Sequence, residues 1–264
     1  MTSLPFSLRP GQSSLSGQRA LVTGGTQGIG AATARLLAEA GAHVVISART
    51  PPATDDNGLA FVAADLTSAA GAAALAGQAL EILGGLDILV SSAGGQRFRP
   101  EGVLAFDDAD WEADLAINLM AAVRLDRALV PAMIDAGAGA IVHVSSGAAR
   151  LPRPASLPYT AAKAALSAYS KGLAVEVGRH GVRVNCVLPG FIPSADHGER
   201  LDARAAAAGM PTEQFLQQVI STIPLGRAGT PEEAAQLIAY LVSPAAGFVS
   251  GAQIHLDGAA FPAL

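Results

Sequence analysis

The chain is poor in several things, and each shortage excludes something. It has one cysteine, Cys186, so no disulfide can close within it, and the reducing cytoplasm is its natural compartment. Cys186 itself lies in VRVNCVLPG, a predicted buried strand, and reads as an inert core thiol. Charged residues make up only 15%, the net charge is −5, and no Lys/Arg cluster offers a footprint for nucleic acid. No apolar run reaches the length that would span a bilayer. The opening stretch MTSLPFSLRPGQSSLSG holds two prolines and no long apolar run, so it is neither a signal peptide nor an anchor. Residues 1–16 are therefore expected to form a flexible N-terminal extension to a single domain, 17–264. The five histidines (His43, His143, His180, His197, His255) show no metal-ligand spacing, so no metal site is expected. His143 falls inside an apolar strand and reads as a core residue. A G-x-S-x-G elbow is also missing, which argues against a serine nucleophile.

What is present is a hydrophobic chain of 264 residues, half of them apolar and 29 of them glycine, enough for a substantial core with many tight turns. Strand and helix patterns alternate from end to end. Strands are predicted at Ala20–Val22, Val44–Ser47, Phe61–Asp65, within LDILVSSAG, at AIVHVSS, at VRVNCVLPG and at Ala252–Leu256. Helices are predicted between them, including a long one over about 107–136 with Asn118 in its interior. Gly41 stands where a C-cap glycine would end the first of them. Shorter helical pieces are predicted around 201–208 and 213–220. This pattern predicts an α/β fold, a Rossmann-type doubly wound parallel sheet. One connection is unusual. Between Arg49 and Asp65 there is only TPPATDDNGLAFVAA, too short and proline-rich for the customary crossover helix, so a shortened crossover is predicted there.

Two stretches carry chemistry. Thr23-Gly24-Gly25-Thr26-Gln27-Gly28-Ile29-Gly30 joins the first strand to the first helix. A tight turn, bare backbone and a helix N-terminus are what a pyrophosphate needs. At the end of the second strand, where a carboxylate would select NAD, the chain has Ser47-Ala48-Arg49. Arg49 can pair with a 2′-phosphate through its planar fork of donors, which favours NADP(H), with NAD(H) the other possibility. The second stretch is SSGAARLPRPASLPYTAAKAALSAYSK. Tyr159 and Lys163 stand four apart on one helix face, where a cation can lower the phenol pKa and make it a usable acid or base near neutral pH.

Taken with Asp65-Leu66, Ser91-Ser92-Ala93-Gly94-Gly95, Asn118, Ser146, Pro189-Gly190 and Asp257-Gly258, these motifs make the chain resemble the classical short-chain dehydrogenases/reductases over nearly its whole length. The resemblance implies that Tyr159 exchanges a proton with the substrate oxygen while a hydride passes to or from the nicotinamide. It implies that Ser146 hydrogen-bonds that oxygen, that Lys163 lowers the Tyr159 pKa and holds the nicotinamide ribose, and that Asn118 holds a water in the proton relay. Asp65 and Leu66 would meet the adenine, Ser92, Ala93 and Gly94 the adenosine side, and Pro189, Gly190, Ile192 and Ser194 the nicotinamide side. Two departures stand out. Ser91-Ser92 replaces the usual Asn-Asn and shortens the reach of any bond from Ser92. Gln27 occupies a position that is often basic in NADP-preferring members.

The function this implies is interconversion of a ketone and a secondary alcohol. The alternatives are a 3-oxoacyl-carrier-protein reductase-like activity and a catalytically idle cofactor-binding regulator. The partners expected are a small-molecule ketone or alcohol and further copies of the chain, as tetramer or dimer, with no nucleic acid and no membrane. The substrate walls are expected from 95–98, 150–157 and 191–210.

Overall fold

The inner strands are covered on both faces, which is why their apolar runs do not alternate with polar residues. The computed structural model describes residues 15–52, 58–193 and 197–262, with only the backbone of residues 197, 199 and 200. The strands are β1 (Arg19–Thr23), β2 (His43–Ala48), β3 (Ala60–Ala63), β4 (Ile88–Ser91), β5 (Gly139–Val144), β6 (Val182–Pro189) and β7 (Gln253–Leu256). They form one parallel sheet in the order β3-β2-β1-β4-β5-β6-β7. The covering helices are α1 (Gly28–Glu39), α2 (Ala69–Leu83), α3 (Asp108–Leu115), α4 (Ala121–Ala136), α5 (Leu157–Val177) and α8 (Pro231–Val242), with α6 (His197–Ala207) and α7 (Thr212–Ser221) inserted after β6.

Successive strand residues point to opposite faces and so divide the core in two. Leu21, Leu89, Ile141 and Val184 pack with α2 and α4 on one side, while Val22, Val90, Val142 and Val187 pack with α1 and α8 on the other. His143, fully buried in β5, sets Nε2 3.1 Å from Asp126 Oδ2 of α4.

The strand order reverses between β1 and β4. Connections leave in opposite directions there, opening a crevice at the carboxyl ends of the strands. The link from β2 to β3 spans only 49–59. Its described residues, 49–52 and 58–59, contain no helix, and residues 53–57 lie outside the described residues. Gly41, with φ of 94°, follows the last turn of α1 as expected of a C-cap glycine.

Two elements differ from expectation. Leu15, assigned from sequence to the extension, is a core residue, and its N–H donates to Ala40 O at 3.0 Å. The predicted long helix over 107–136 is continuous but not uniform: α3 passes through a π-helical turn, Ala116–Met120, before α4 begins. Such turns widen a helix locally and recur at functional sites. Asn118 sits in the middle of this one.

Candidate active site

The carboxyl ends of β1 to β6 surround a cleft of about 860 Å³. Its floor on the β1 side is the glycine turn. A Cβ on Gly24 would stand 3.0 Å from the Ala93 backbone, and one on Gly30 would stand 2.1 Å from Gly24 O, so the turn closes only with bare backbone at both positions. Beyond it α1 begins at Gly28. The N-cap residue Gln27 makes no side-chain cap bond and no acidic residue lies in the first turn, so its N–H groups and positive dipole end can face an anion. These features fit the pyrophosphate of a nicotinamide dinucleotide. Thr26, Gln27, Gly28 and Ile29 line the same end of the cleft.

Thr23 lies behind this surface rather than on it. Its buried Oγ1 accepts the N–H groups of Ser92 and Ala93, both at 3.2 Å, tying the end of β1 to the end of β4. The Oγ of neighbouring Ser91 is buried with no hydrogen-bond partner among the described residues. On the adenine side, Arg49 is exposed at the end of β2 and Asp65 faces the same space from the end of β3. The Asp65 carboxylate accepts from Thr67 N (3.0 Å) and Thr67 Oγ1 (2.7 Å), and these bonds, with help from Arg49, hold it below the usual carboxylate range. Arg124 of α4 donates to Thr67 O at 2.7 Å and so supports that loop from beneath. Neither Thr67 nor Arg124 carries a motif that would single it out in the sequence.

At the other end stand Ser146, Tyr159 and Lys163. Ser145 turns inward to donate to Lys163 O at 2.9 Å. Ser146, half-buried, faces the cleft, and its Oγ accepts from Ala148 N at 3.1 Å. Tyr159 lies in the first turn of α5, half-buried, at the positive end of that helix. Lys163, one turn on, is 4% exposed; its Nζ donates to Val144 O at 2.8 Å and sits 6.0 Å from the Tyr159 ring centroid. Burial pushes the Lys163 ammonium down to about 8.

That depression has a thermodynamic consequence. Between pH 8 and the ordinary lysine value of 10.5, the unfolded chain holds a proton at this position that the folded chain has lost, so stability rises with pH. At about 1.4 kcal/mol per unit, the gain between pH 8 and pH 10 is expected to be about 2–3 kcal/mol. Urea unfolding of the ligand-free chain and of Lys163→Met at both pH values measures it; parallel pH dependences in the two would refute it.

Asn118 also lies behind the cleft surface. Its Nδ2 donates to Gly95 O (2.7 Å) and Asp114 O (2.9 Å), while its Oδ1 accepts from Gly95 N (3.1 Å). Pro189, Gly190 and Ile192 complete the β6 side, whereas Ser194 lies outside the described residues. Of the expected substrate walls, Gln96, Arg97 and Ile192 line the cleft and the 150–157 segment does not. Arg150 is hydrogen-bonded to Gln253 of β7, and Ala155 O accepts from Arg99 N at 2.9 Å, which ties that segment to β7 and to the loop after β4.

A sequence family described as Enoyl-(Acyl carrier protein) reductase matches residues 24–259. Gluconate 5-dehydrogenase of Gluconobacter oxydans is 35% identical over 254 residues, covering 93% of this chain and 95% of the relative. The chain is a short-chain dehydrogenase/reductase. Cis-4-hydroxycyclohexanecarboxylate dehydrogenase of Sinomonas cyclohexanicum, another similar protein, is 38% identical over 248 residues, covering 90% of this chain and 94% of that one. The L-sorbose reductase of Gluconobacter frateurii, solved with NADPH and L-sorbose, superposes with a TM-score of 0.87 at 32% identity, covering 96% of this chain and all of the other. As a short-chain dehydrogenase/reductase, the protein is an oxidoreductase acting on CH–OH and C=O groups.

Proposed function

We propose that this oxidoreductase interconverts a small ketone and a secondary alcohol with NADP(H), using Tyr159 as the general acid/base. The observation that carries the reading is the convergence of Ser146, Tyr159 and Lys163 on one end of the cleft whose other end is the glycine turn. The bound cofactor supplies or accepts the hydride. Tyr159 gives its proton to the carbonyl oxygen in reduction and takes it back as phenolate in oxidation. The dipole of α5 and the Lys163 cation both favour that phenolate. Ser146 donates a hydrogen bond to the oxygen on which charge develops. Asn118 holds the Gly95 backbone beside Lys163; a relay water held by Asn118 belongs to the same proposal.

The NADP(H) preference rests on Arg49, which faces the cleft where the 2′ position would lie. A phosphate paired with a guanidinium is held by charge-assisted bonds of about 1.5–3 kcal/mol. Replacing Arg49 with Ala is therefore expected to weaken NADPH about 10- to 100-fold and to leave NADH within about 3-fold. Fluorescence titration with each cofactor measures this, and tighter NADH binding to the wild-type chain would overturn the preference.

A hydroxylated substrate is favoured by the polar Gln96 side of the cleft and by relatives named for gluconate and sorbose. A panel of ketoses, sugar acids, cyclic hydroxy acids and an acyl thioester, run with both cofactors, tests it. Turnover of the acyl thioester alone would replace this substrate reading with the carrier-protein one, and no turnover in the panel would favour the regulator. We also assign the α4–α5 face to contact between copies, because Val130, Ile134 and Leu173 there line an apolar hollow of about 600 Å³. The single buried cysteine supports a cytoplasmic setting.

A further inference from the structure

Asp110, Asp114 and Asn118 recur every four residues along α3 and its π-helical extension, and so share one face. All three grip the loop that follows β4. Asn118 takes both backbone groups of Gly95. Asp114, with its side chain 0% exposed, accepts from Arg97 Nη1 at 3.0 Å and, at 3.5 Å, from the Arg97 N–H. Asp110 is ion-paired with Arg97, Oδ1 lying 3.2 Å from Nε, and accepts from Arg99 Nη2 at 3.0 Å. Asp114 also lends its carbonyl to Asn118 Nδ2, so one residue joins the ion pair to the amide clamp.

The clamped loop forms one wall of the site. A Cβ on Gly94 would stand 3.0 Å from Asn118 Oδ1 and 3.5 Å from Lys163 Nζ, so the loop backbone fills the space between those two side chains. A shift of that backbone by an ångström would move the wall against which Lys163 and the nicotinamide ribose are placed. Misplacements of that size can cost about 100-fold in rate. A buried carboxylate is also costly to keep ionised without its partner. Burial raises the Asp114 pKa, the Arg97 bonds and charge oppose the rise, and the neighbouring Asp110 charge adds to it.

We propose that Arg97 and Asp114 are positioning residues of the reaction: their ion pair sets the Gly94–Gly95 backbone through Asn118 and thereby the geometry at Lys163. The proposal rests on the assignment of the catalytic cleft above. It is independent of which alcohol or ketone is turned over.

The test uses Asp114→Asn, which keeps shape and removes charge, and Arg97→Met with Arg97→Lys as its conservative partner. In the ligand-free chain, hydrogen exchange of the 94–99 segment is expected to quicken at least about 10-fold in Asp114→Asn, while β4 and β5 keep wild-type protection. With NADPH and a substrate from the panel, kcat is expected to fall about 10- to 100-fold in Asp114→Asn and Arg97→Met, with NADPH affinity within about 3-fold and partial recovery in Arg97→Lys. In an Asn118→Ala background, Asp114→Asn is expected to add almost nothing, because the two act in series. If Arg97→Met does not fold, Arg97→Met/Asp114→Leu removes the stranded charge and is expected to show the same loss of kcat. Unchanged exchange at 94–99, full kcat in a chain that is merely less stable, or losses that add to Asn118→Ala would each overturn the proposal. Should the wild-type chain turn nothing over, the assignment of the site fails on its own, and the exchange measurement still decides the loop.

Discussion

Tyr159→Phe is expected to lower kcat by about 10²- to 10⁴-fold in both directions, with NADPH affinity changed by no more than about 3-fold. The range is that of general acid–base catalysis by a positioned side chain. The substitution removes one hydroxyl from a half-buried ring in the first turn of α5 and leaves the ring's packing in place. Lys163 keeps its bond to Val144 O and its place beneath the ring. On the proposed mechanism, what is lost is the group that hands a proton to the forming alkoxide, and Ser146 would stabilise that oxygen without protonating it. The informative comparison is kcat against cofactor affinity. A fall in kcat with cofactor binding retained places the loss in the chemical step, whereas full turnover by the variant would refute Tyr159 as the acid/base. A parallel loss of NADPH affinity would mean that the substitution had disturbed the cleft itself.

Gly30→Ala is expected to damage both stability and cofactor binding. Its Cβ would lie 2.1 Å from Gly24 O, 2.7 Å from Gly24 C and 3.2 Å from Gly25 N, all of them backbone atoms that no rotamer change can move aside. Gly30 has no positive φ, so the obstacle is space and not conformation. Helix α1 would have to withdraw from the turn, separating its N–H groups from the place of the pyrophosphate. Overpacking of this kind costs about 1–3 kcal/mol, sometimes more, so a melting temperature lower by about 5–10 °C is expected. NADPH affinity should fall at least about 100-fold. Gly77→Ala in α2 is the matched control, since nothing lies within 4 Å of the added methyl. It is expected to stabilise the chain by about 0.4–1 kcal/mol through the unfolded state and to leave cofactor binding alone. Thermal unfolding with and without NADPH reads both variants, and wild-type NADPH affinity in Gly30→Ala would show that the turn can yield.

Much of the site could be read along the chain because its chemistry is local. The glycine turn is set by eight consecutive residues, and Tyr159 and Lys163 meet because a helix repeats every 3.6 residues. The placement of Asp65, Ser92 and Gly190 on one cleft follows from a single rule, that each follows the carboxyl end of a parallel strand of one sheet. The grip on the 95–99 loop was only half legible. The four-residue spacing of Asp110, Asp114 and Asn118 is visible in the sequence, but the partners of these side chains are Gly95, Arg97 and Arg99, on a segment that precedes α3 and folds back along it. Leu15 was unreadable for a similar reason: set between serines in the stretch 12–17, it has no apolar periodicity around it, and its socket comes from the turn between α1 and β2.

By itself, then, the sequence determined the alternation of strand and helix, the single parallel sheet, the glycine turn and the Tyr–Lys pair. Each of these depends on backbone preferences and periodicities that act over a few residues. Only the tertiary structure decided that the helix carrying Asn118 widens into a π turn, that Thr23 and Asn118 lie behind the cleft surface, that the 150–157 segment is tied to β7 and to the loop after β4, and that Arg97 is committed to two buried carboxylates. These are outcomes of side-chain pairing between segments distant in sequence. Such pairs are chosen by the register in which packed elements meet and by the cost of leaving a buried charge unpaired, and neither quantity exists until the chain has closed on itself.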